Sequence, residues 1–172
     1  MGYEVGVLGG LVLAAPSAEG EVELRPFERR VLAAAAFEPE RGVSLERMEA
    51  LVWAEPPATA RKALQTHVAR IRGATGPELL VTTSTGYRLG GAVLVDRVAF
   101  EQVLADTAGP VRGADLAARR TRLIEGLALW RGVPYADLDD HPDVRTLREQ
   151  LREQRRTVEE RLAECRLALG EV

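Results

Sequence analysis

Between Arg61 and Arg72 the chain carries four fixed cations (Arg61, Lys62, Arg70, Arg72), one histidine (His67) and no acid, while the segments on either side mix both signs. Cations at this density suit a polyanion. Gln65 and Thr66 lie among them, and their side chains can read base edges: Arg or Lys pairs with guanine, Gln with adenine, and a threonine methyl meets the thymine methyl. The chemistry on offer is recognition, not bond-making. No nucleophile–base set, phosphate-cradling loop or paired carboxylates can be assembled from these residues, so the chain reads as a non-enzyme without a cofactor. VGVLGG near the start superficially resembles a dinucleotide-binding loop, but Pro16 and the strand-like LVL stand where that motif must open a helix.

A helix over Ala58–Thr75 would position these groups. At about 100° per residue, Ala60, Leu64, Val68 and Ile71 form one narrow apolar stripe that can dock on a core. Thr59, Lys62, Gln65, Thr66, Ala69, Arg70 and Gly73 fall on the opposite face. The small Ala69 and Gly73 would let the helix backbone come close to what it faces. Such a helix fits a major groove; taken alone, it equally describes a solvated amphipathic helix. The next residues separate the two readings. Leu79–Thr83 is β-prone, Ser84-Thr85-Gly86 is a turn with Gly86 free to adopt φ > 0, and Tyr87–Leu89 is a second short strand. A helix followed by a hairpin of this kind assigns Lys62, Gln65, Thr66 and Arg70 to base edges. Arg61, His67 and Arg72 flank that face and are assigned to phosphates, a structural hydrogen bond being the other reading of His67. Thr85 and Arg88 are candidates for the minor groove or its phosphates, and Tyr87 is expected to pack.

LQTHVARIRG followed by VTTSTGYRLG resembles the recognition helix and wing of the OmpR-type winged helix-turn-helix. ALWRGVPYADL, further on, narrows the resemblance to the AfsR/DnrI/RedD group, the Streptomyces antibiotic regulatory proteins. It runs from about Tyr3 to the last residue. The resemblance implies an α+β fold in two parts. Residues 1–95 would be the winged helix-turn-helix, with a small antiparallel sheet, three helices and a wing hairpin. Residues 96–172 would be an all-α, tetratricopeptide-like bacterial transcriptional activation domain. Relatives carry further helix pairs after LALG, so the chain would be either a fragment of a longer regulator or a short member. The implied function is sequence-specific transcriptional activation of secondary-metabolite (antibiotic) genes: binding to direct repeats in double-stranded DNA near a promoter, as a homodimer there, and contact with RNA polymerase holoenzyme. The resemblance also implies that the histidine and arginine positions of the helix contact DNA. Gly73 departs from it, because relatives usually carry another basic residue there.

Composition agrees with a cytoplasmic binding protein. Apolar residues make up 46% and charged residues 28% of the 172 positions, enough for one large or two small domains with their own cores. The net charge of −3 does not advertise nucleic-acid binding, but a local basic face steers DNA despite an acidic total. Lys62 is the single lysine among 23 basic residues, the composition of a GC-rich genome. Cys165 is the single cysteine, which excludes an intrachain disulfide, and its helical apolar register makes it a core residue. Val5–Ala15 has the length of a signal-peptide core, yet Glu4 stands where a basic flank belongs. No apolar run approaches the roughly 20 residues needed to span a bilayer.

The remaining elements follow in order. Tyr3–Leu8, Leu11–Leu13 and Glu21–Leu24 read as strands, with a turn around Ser17–Gly20. A buried helix runs from Pro26 to Phe37; Ala33–Ala36 stand where relatives carry leucines. Ser44 is an N-cap candidate ahead of a helix that ends at Glu55-Pro56-Pro57, with Trp53 expected in its core stripe. Asp96 is read as the N-cap of a helix ending at Gly109-Pro110. A second helix spans about Ala114–Trp130, with Gly132 as its C-cap candidate. Asp137, Asp139, Asp140, His141 and Asp143 form either a metal cluster or, more plainly, a solvated turn that favours the next helix N-terminus. The last helix, about Pro142–Leu169, has a near-heptad seam broken at Gln154/Arg155, which either packs on the preceding helices or makes a dimer coiled coil. The rival to DNA binding is a helical protein-interaction module whose winged domain no longer reads DNA.

Overall fold

The computed structural model describes residues 2–16, 20–110 and 115–171. The turn expected around Ser17–Gly20 and the helix start expected at Ala114 fall partly or wholly outside them. The described residues form six strands and six helices: β1 (Tyr3–Gly6), β2 (Val12–Ala14), α1 (Pro26–Ala35), β3 (Val43–Ser44), α2 (Leu45–Val52), α3 (Ala60–Thr75), β4 (Leu80–Thr82), β5 (Gly86–Leu89), β6 (Val93–Val95), α4 (Asp96–Asp106), α5 (Asp115–Ala128) and α6 (Pro142–Ala168). The class is α+β. Among the described residues no helix is long and apolar enough to cross a membrane.

Helix α1 opens on Pro26, and the Glu28 carboxylate accepts the Arg25 backbone N–H at 3.0 Å. Val31 to Ala36 are at most 1% exposed, so the alanine run lies wholly inside, where α1 packs against α2 and α3. Ser44 caps α2 through a 3.2 Å bond from the Arg47 N–H to its Oγ. Trp53 then turns extended, and α3 begins after Pro56-Pro57 with the Ala60 N–H on the Pro57 carbonyl at 2.9 Å. Ala60, Leu64, Val68 and Ile71 are at most 3% exposed. Each of the three larger side chains stabilises this docking by about 1.5–3 kcal/mol.

Two three-stranded sheets flank the helices, in the orders β3-β5-β4 and β2-β1-β6. The second corrects the expected small antiparallel sheet. Its third strand is β6, running parallel to β1 with Tyr3 opposite Val93 and Val5 opposite Val95, and residues 21–24 contribute only an isolated bridge between Glu21 and Ala14. A parallel partner needs a long crossover, here the whole of α1 to β5. Gly86 is also corrected. It is absent from the positive-φ residues, and its need is space: an added Cβ would sit 2.0 Å from the Val43 carbonyl oxygen across the β3–β5 pair.

β6 leads directly into α4, and one continuous buried cluster runs from Tyr3 to Cys165. Asp96 does not cap its own helix. Its carboxylate accepts the backbone N–H groups of Val7 at 2.8 Å and Leu8 at 3.1 Å and pairs with Arg131 at 3.0 Å. The segment after α5 lies along the β1–β2 connection, with the Arg131 N–H on Leu8 O and the Tyr135 N–H on Val7 O, both at 2.7 Å. Tyr135, 1% exposed and at φ 53, donates its hydroxyl to the Ala36 carbonyl at 2.9 Å. Burial pushes its phenol well above the ordinary tyrosine range. The acids that follow face arginines of the first half: Asp137 with Arg29 at 2.8 Å, Asp139 with Arg30, and Asp143 with Arg47 at 3.2 Å. Asp137 also accepts the Leu11 N–H. Among the described residues no group of three or more His, Cys, Asp or Glu converges on a metal-sized space.

Helix α6 opens on His141, whose Nδ1 accepts the Asp143 N–H at 3.2 Å. Val144, Leu151, Val158 and Cys165, seven apart, are all buried, and α6 lies against α5 and α4. Within this chain the seam therefore packs on the preceding helices. Its break is accounted for: Arg155 lies over the Trp130 ring, 5.1 Å from the centroid. Replacing Asp96 by Ala strands two backbone donors and removes the ion pair with Arg131 at once. A loss of roughly 2–4 kcal/mol in urea denaturation is expected, and an unchanged midpoint would show that this carboxylate does not hold the halves together.

Candidate nucleic-acid interface

With its stripe buried, α3 turns Lys62, Gln65, Thr66, Ala69, Arg70 and Gly73 to solvent. Among the described residues, the side chains of Lys62, Gln65 and Arg70 make no hydrogen bond or ion pair within the chain. Thr66 donates its hydroxyl proton to the Lys62 carbonyl at 2.9 Å, leaving an acceptor lone pair and a methyl group for recognition. Gly73 has nothing within 4 Å of where a Cβ would stand, so backbone there is open to close approach. Arg61 is 67% exposed and only 4.0 Å from the Glu49 carboxylate, a pairing that contributes little at such exposure. Its charge stays available.

Two flanking residues are placed differently from their neighbours. Arg72 turns back to the hairpin, where Nε donates to Leu80 O at 2.8 Å and a terminal nitrogen to Thr82 Oγ1 at 2.9 Å, with the guanidinium over the Tyr87 ring. It fixes the spacing of α3 and the β4–β5 hairpin. His67 packs tilted against Phe27 with centroids 4.4 Å apart, and Phe27 packs tilted against Trp53 at 5.0 Å. Its Nδ1 is shielded from water and makes no hydrogen bond among the described residues. Burial, followed by the nearby Arg70 charge, pushes the His67 pKa below its ordinary 6.5, against the opposing pull of Glu28. Both effects favour the neutral ring.

Thr85 is exposed at the hairpin turn, and its carbonyl accepts the Leu45 N–H at 2.9 Å, tying the turn to the start of α2. Gly86 donates to Thr83 Oγ1 at 2.9 Å, which closes that turn. Tyr87 is 6% exposed and packs. Arg88 is not brought to the α3 side. It alternates with the buried Tyr87 and Leu89, and lines a groove with Pro39, Glu40 and Val98 at the foot of α4. The structure thus gathers Arg61, Lys62, Gln65, Thr66 and Arg70 on one surface, sets His67 and Arg72 at its edges as packing and bracing groups, and leaves Arg88 apart. Phe27, Trp53 and Thr82 complete these edges without having been singled out as partners. The heptapeptide around His67 gives no hint of a ring contact made some 40 positions away.

Each edge residue has a measurable consequence. Because the folded state lowers the His67 pKa, the unfolded chain binds this proton more readily. The stability it contributes is present above about pH 6.5 and is lost as pH falls below that value through the folded pKa. Replacing His67 by Gln is expected to remove that part of the acid destabilisation, read as a smaller change in urea midpoint between pH 7.5 and 5.5; an identical change in both proteins contradicts it. Arg72→Ala is expected to cost roughly 1–3 kcal/mol of stability and to raise amide exchange in β4, and unaltered exchange would remove the brace.

Comparison with known proteins places this geometry. Residues 95–172 match the family described as the bacterial transcriptional activator domain. The chain is 35% identical over 134 residues to the regulatory protein AfsR of Streptomyces coelicolor, a match covering 76% of this chain and 13% of AfsR. It superposes on Mycobacterium tuberculosis EmbR, solved in complex with a low-affinity phosphopeptide, with a TM-score of 0.77 and 25% identity over 98% of this chain and 46% of that one. It spans less than half the length of either. With the ALWRGVPYADL stretch seating the second half on the first as described, residues 95–172 belong to the bacterial transcriptional activator domain family, and the chain as a whole is similar to the AfsR/DnrI/RedD regulators.

Proposed function

We propose that residues 1–95 act as a winged helix-turn-helix, with α2 and α3 as the helix pair and β4–β5 as the wing, and that α3 reads duplex DNA in the major groove. The observation that carries this reading is the α3 face itself: exposed, cationic, backed by a dry stripe, and with Lys62, Gln65 and Arg70 unpaired among the described residues. Lys62, Gln65, Thr66 and Arg70 read base edges; Arg61 and the hairpin tip at Thr85 meet phosphates. His67 and Arg72 hold the reading helix at its angle. The activity is binding, without catalysis or cofactor, in the cytoplasm. Residues 96–172 form the activation half, with an α-helical, tetratricopeptide-like packing. The regulator binds direct repeats upstream of a promoter as a homodimer, contacts RNA polymerase and activates secondary-metabolite genes, by likeness to the family.

Arg70→Ala is expected to weaken binding to the operator by roughly 1–3 kcal/mol and to relax the preference for it over random duplex. Unchanged selectivity overturns the base-edge assignment. A series over salt concentration separates this reading from that of a protein-interaction module without DNA affinity. A steep fall of log K with log salt follows from released counterions, and a flat series at weak affinity contradicts DNA reading altogether.

A further inference from the structure

Where α1 begins beside α3, the chain places a cation that no contact among the described residues uses. The Phe27 ring lies 4.4 Å from His67 and 5.0 Å from Trp53, centroid to centroid, which fixes the first turn of α1 along one edge of α3. Arg25 stands two residues ahead of Phe27, at the N-cap of α1, and is exposed. The Glu28 carboxylate accepts its backbone N–H at 3.0 Å, so the main chain is held while the side chain reaches solvent. Three charges lie near enough to act on the His67 ring: Arg70 from α3 itself, and Glu28 and Arg25 from the start of α1. Glu28 is only 6% exposed and already engaged. Two exposed guanidinium groups, Arg70 and Arg25, therefore remain beside the imidazole.

The other arginines of α1 are committed elsewhere: Arg29 pairs with Asp137 at 2.8 Å and Arg30 with Asp139. The Arg25 guanidinium makes no hydrogen bond or ion pair among the described residues, the exposed Glu23 two positions earlier included. A duplex that takes a helix into its major groove brings backbone phosphates to the flanks of that helix. Of the flanking groups on α3, Arg72 is held by the hairpin, and burial favours the uncharged form of His67. On the side of α3 that faces α1, Arg25 is thus the fixed charge left to meet a phosphate.

We propose that Arg25 is a further DNA-contacting residue, whose guanidinium binds a phosphodiester of the strand passing the α1 edge of α3. The inference rests on the reading of α3 as the groove-binding helix and extends its contact surface to a second element. A phosphate contact there adds affinity without sequence preference, because it positions the backbone and touches no base edge.

The test measures binding of the full chain to two fluorescein-labelled duplexes, the operator and a random sequence, over a salt series. Arg25→Ala is expected to weaken both alike, by roughly five- to tenfold at about 0.1 M salt, and to flatten the slope of log K against log salt by about 0.9, the share of one phosphate. Arg25→Lys keeps the charge and should keep both affinity and slope. Urea denaturation of Arg25→Ala checks the fold; should α1 loosen, Arg25→Gln replaces it with the same expected loss. Unaltered affinity and slope in Arg25→Ala, with Arg70→Ala still weakening operator binding, overturn the contact and leave the reading of α3 standing. So does a loss confined to the operator at unchanged slope, which makes Arg25 a packing residue for α3. A flat series for the unsubstituted chain overturns both readings together.

Discussion

The carboxylate of Asp96 is the joint on which the molecule turns. It sits where β6 becomes α4, receives the backbone N–H groups of Val7 and Leu8, and holds Arg131 from the loop after α5. With Tyr135 reaching the Ala36 carbonyl and Asp137 holding Arg29 and the Leu11 N–H, it closes the second half of the chain over the β2-β1-β6 sheet and the end of α1. Hydrogen bonds to charged groups in half-buried places contribute more than exposed ion pairs. These contacts surround an apolar cluster that continues through both halves. Tyr135 accepts a left-handed backbone to take part, a conformation that costs about 1–2 kcal/mol for a residue other than glycine.

That closure bears on what α3 can do. α1 lies under α3, and the end of α1 is the part that Tyr135 holds. α2 is tied to the start of α6 through Arg47 and Asp143. The outer face of α3 therefore rides on a body that includes the second half of the chain. Arg72 extends the same rigidity to the hairpin. Of the charged groups around α3, Arg72 turns inward to set its angle, while Lys62 and Arg70 face outward unpaired among the described residues and Arg61 has only a long contact with Glu49, which is the arrangement a binding helix needs.

Much of this was legible in the residues. The period of Ala60, Leu64, Val68 and Ile71 gave the buried side of α3, Ser44 its N-capping role, and the seven-residue repeat of α6 its packed seam. Local signals of this sort depend on neighbours within a few positions. Long-range partners left no such signal. Nothing in Val93–Val95 distinguishes a third sheet strand from a link, because its partner is β1, some 90 residues earlier. The acids from Asp137 to Asp143 read as a solvated turn until Arg29, Arg30 and Arg47 are set opposite them. Arg72 and Arg88 looked alike as surface cations. Strand alternation sends Arg88 to the other side of the hairpin, and the carbonyl of Leu80 captures Arg72.

The central claim is that the outer face of α3 enters the duplex while the second half stays clear of it. Photocrosslinking tests this most directly, with a photoreactive side chain placed at Gln65 in one protein and at Val133 in another, each bound to operator DNA. Crosslinks from position 65 to bases, and none from position 133, are the predicted result. Crosslinks from position 133 with none from position 65 would contradict it.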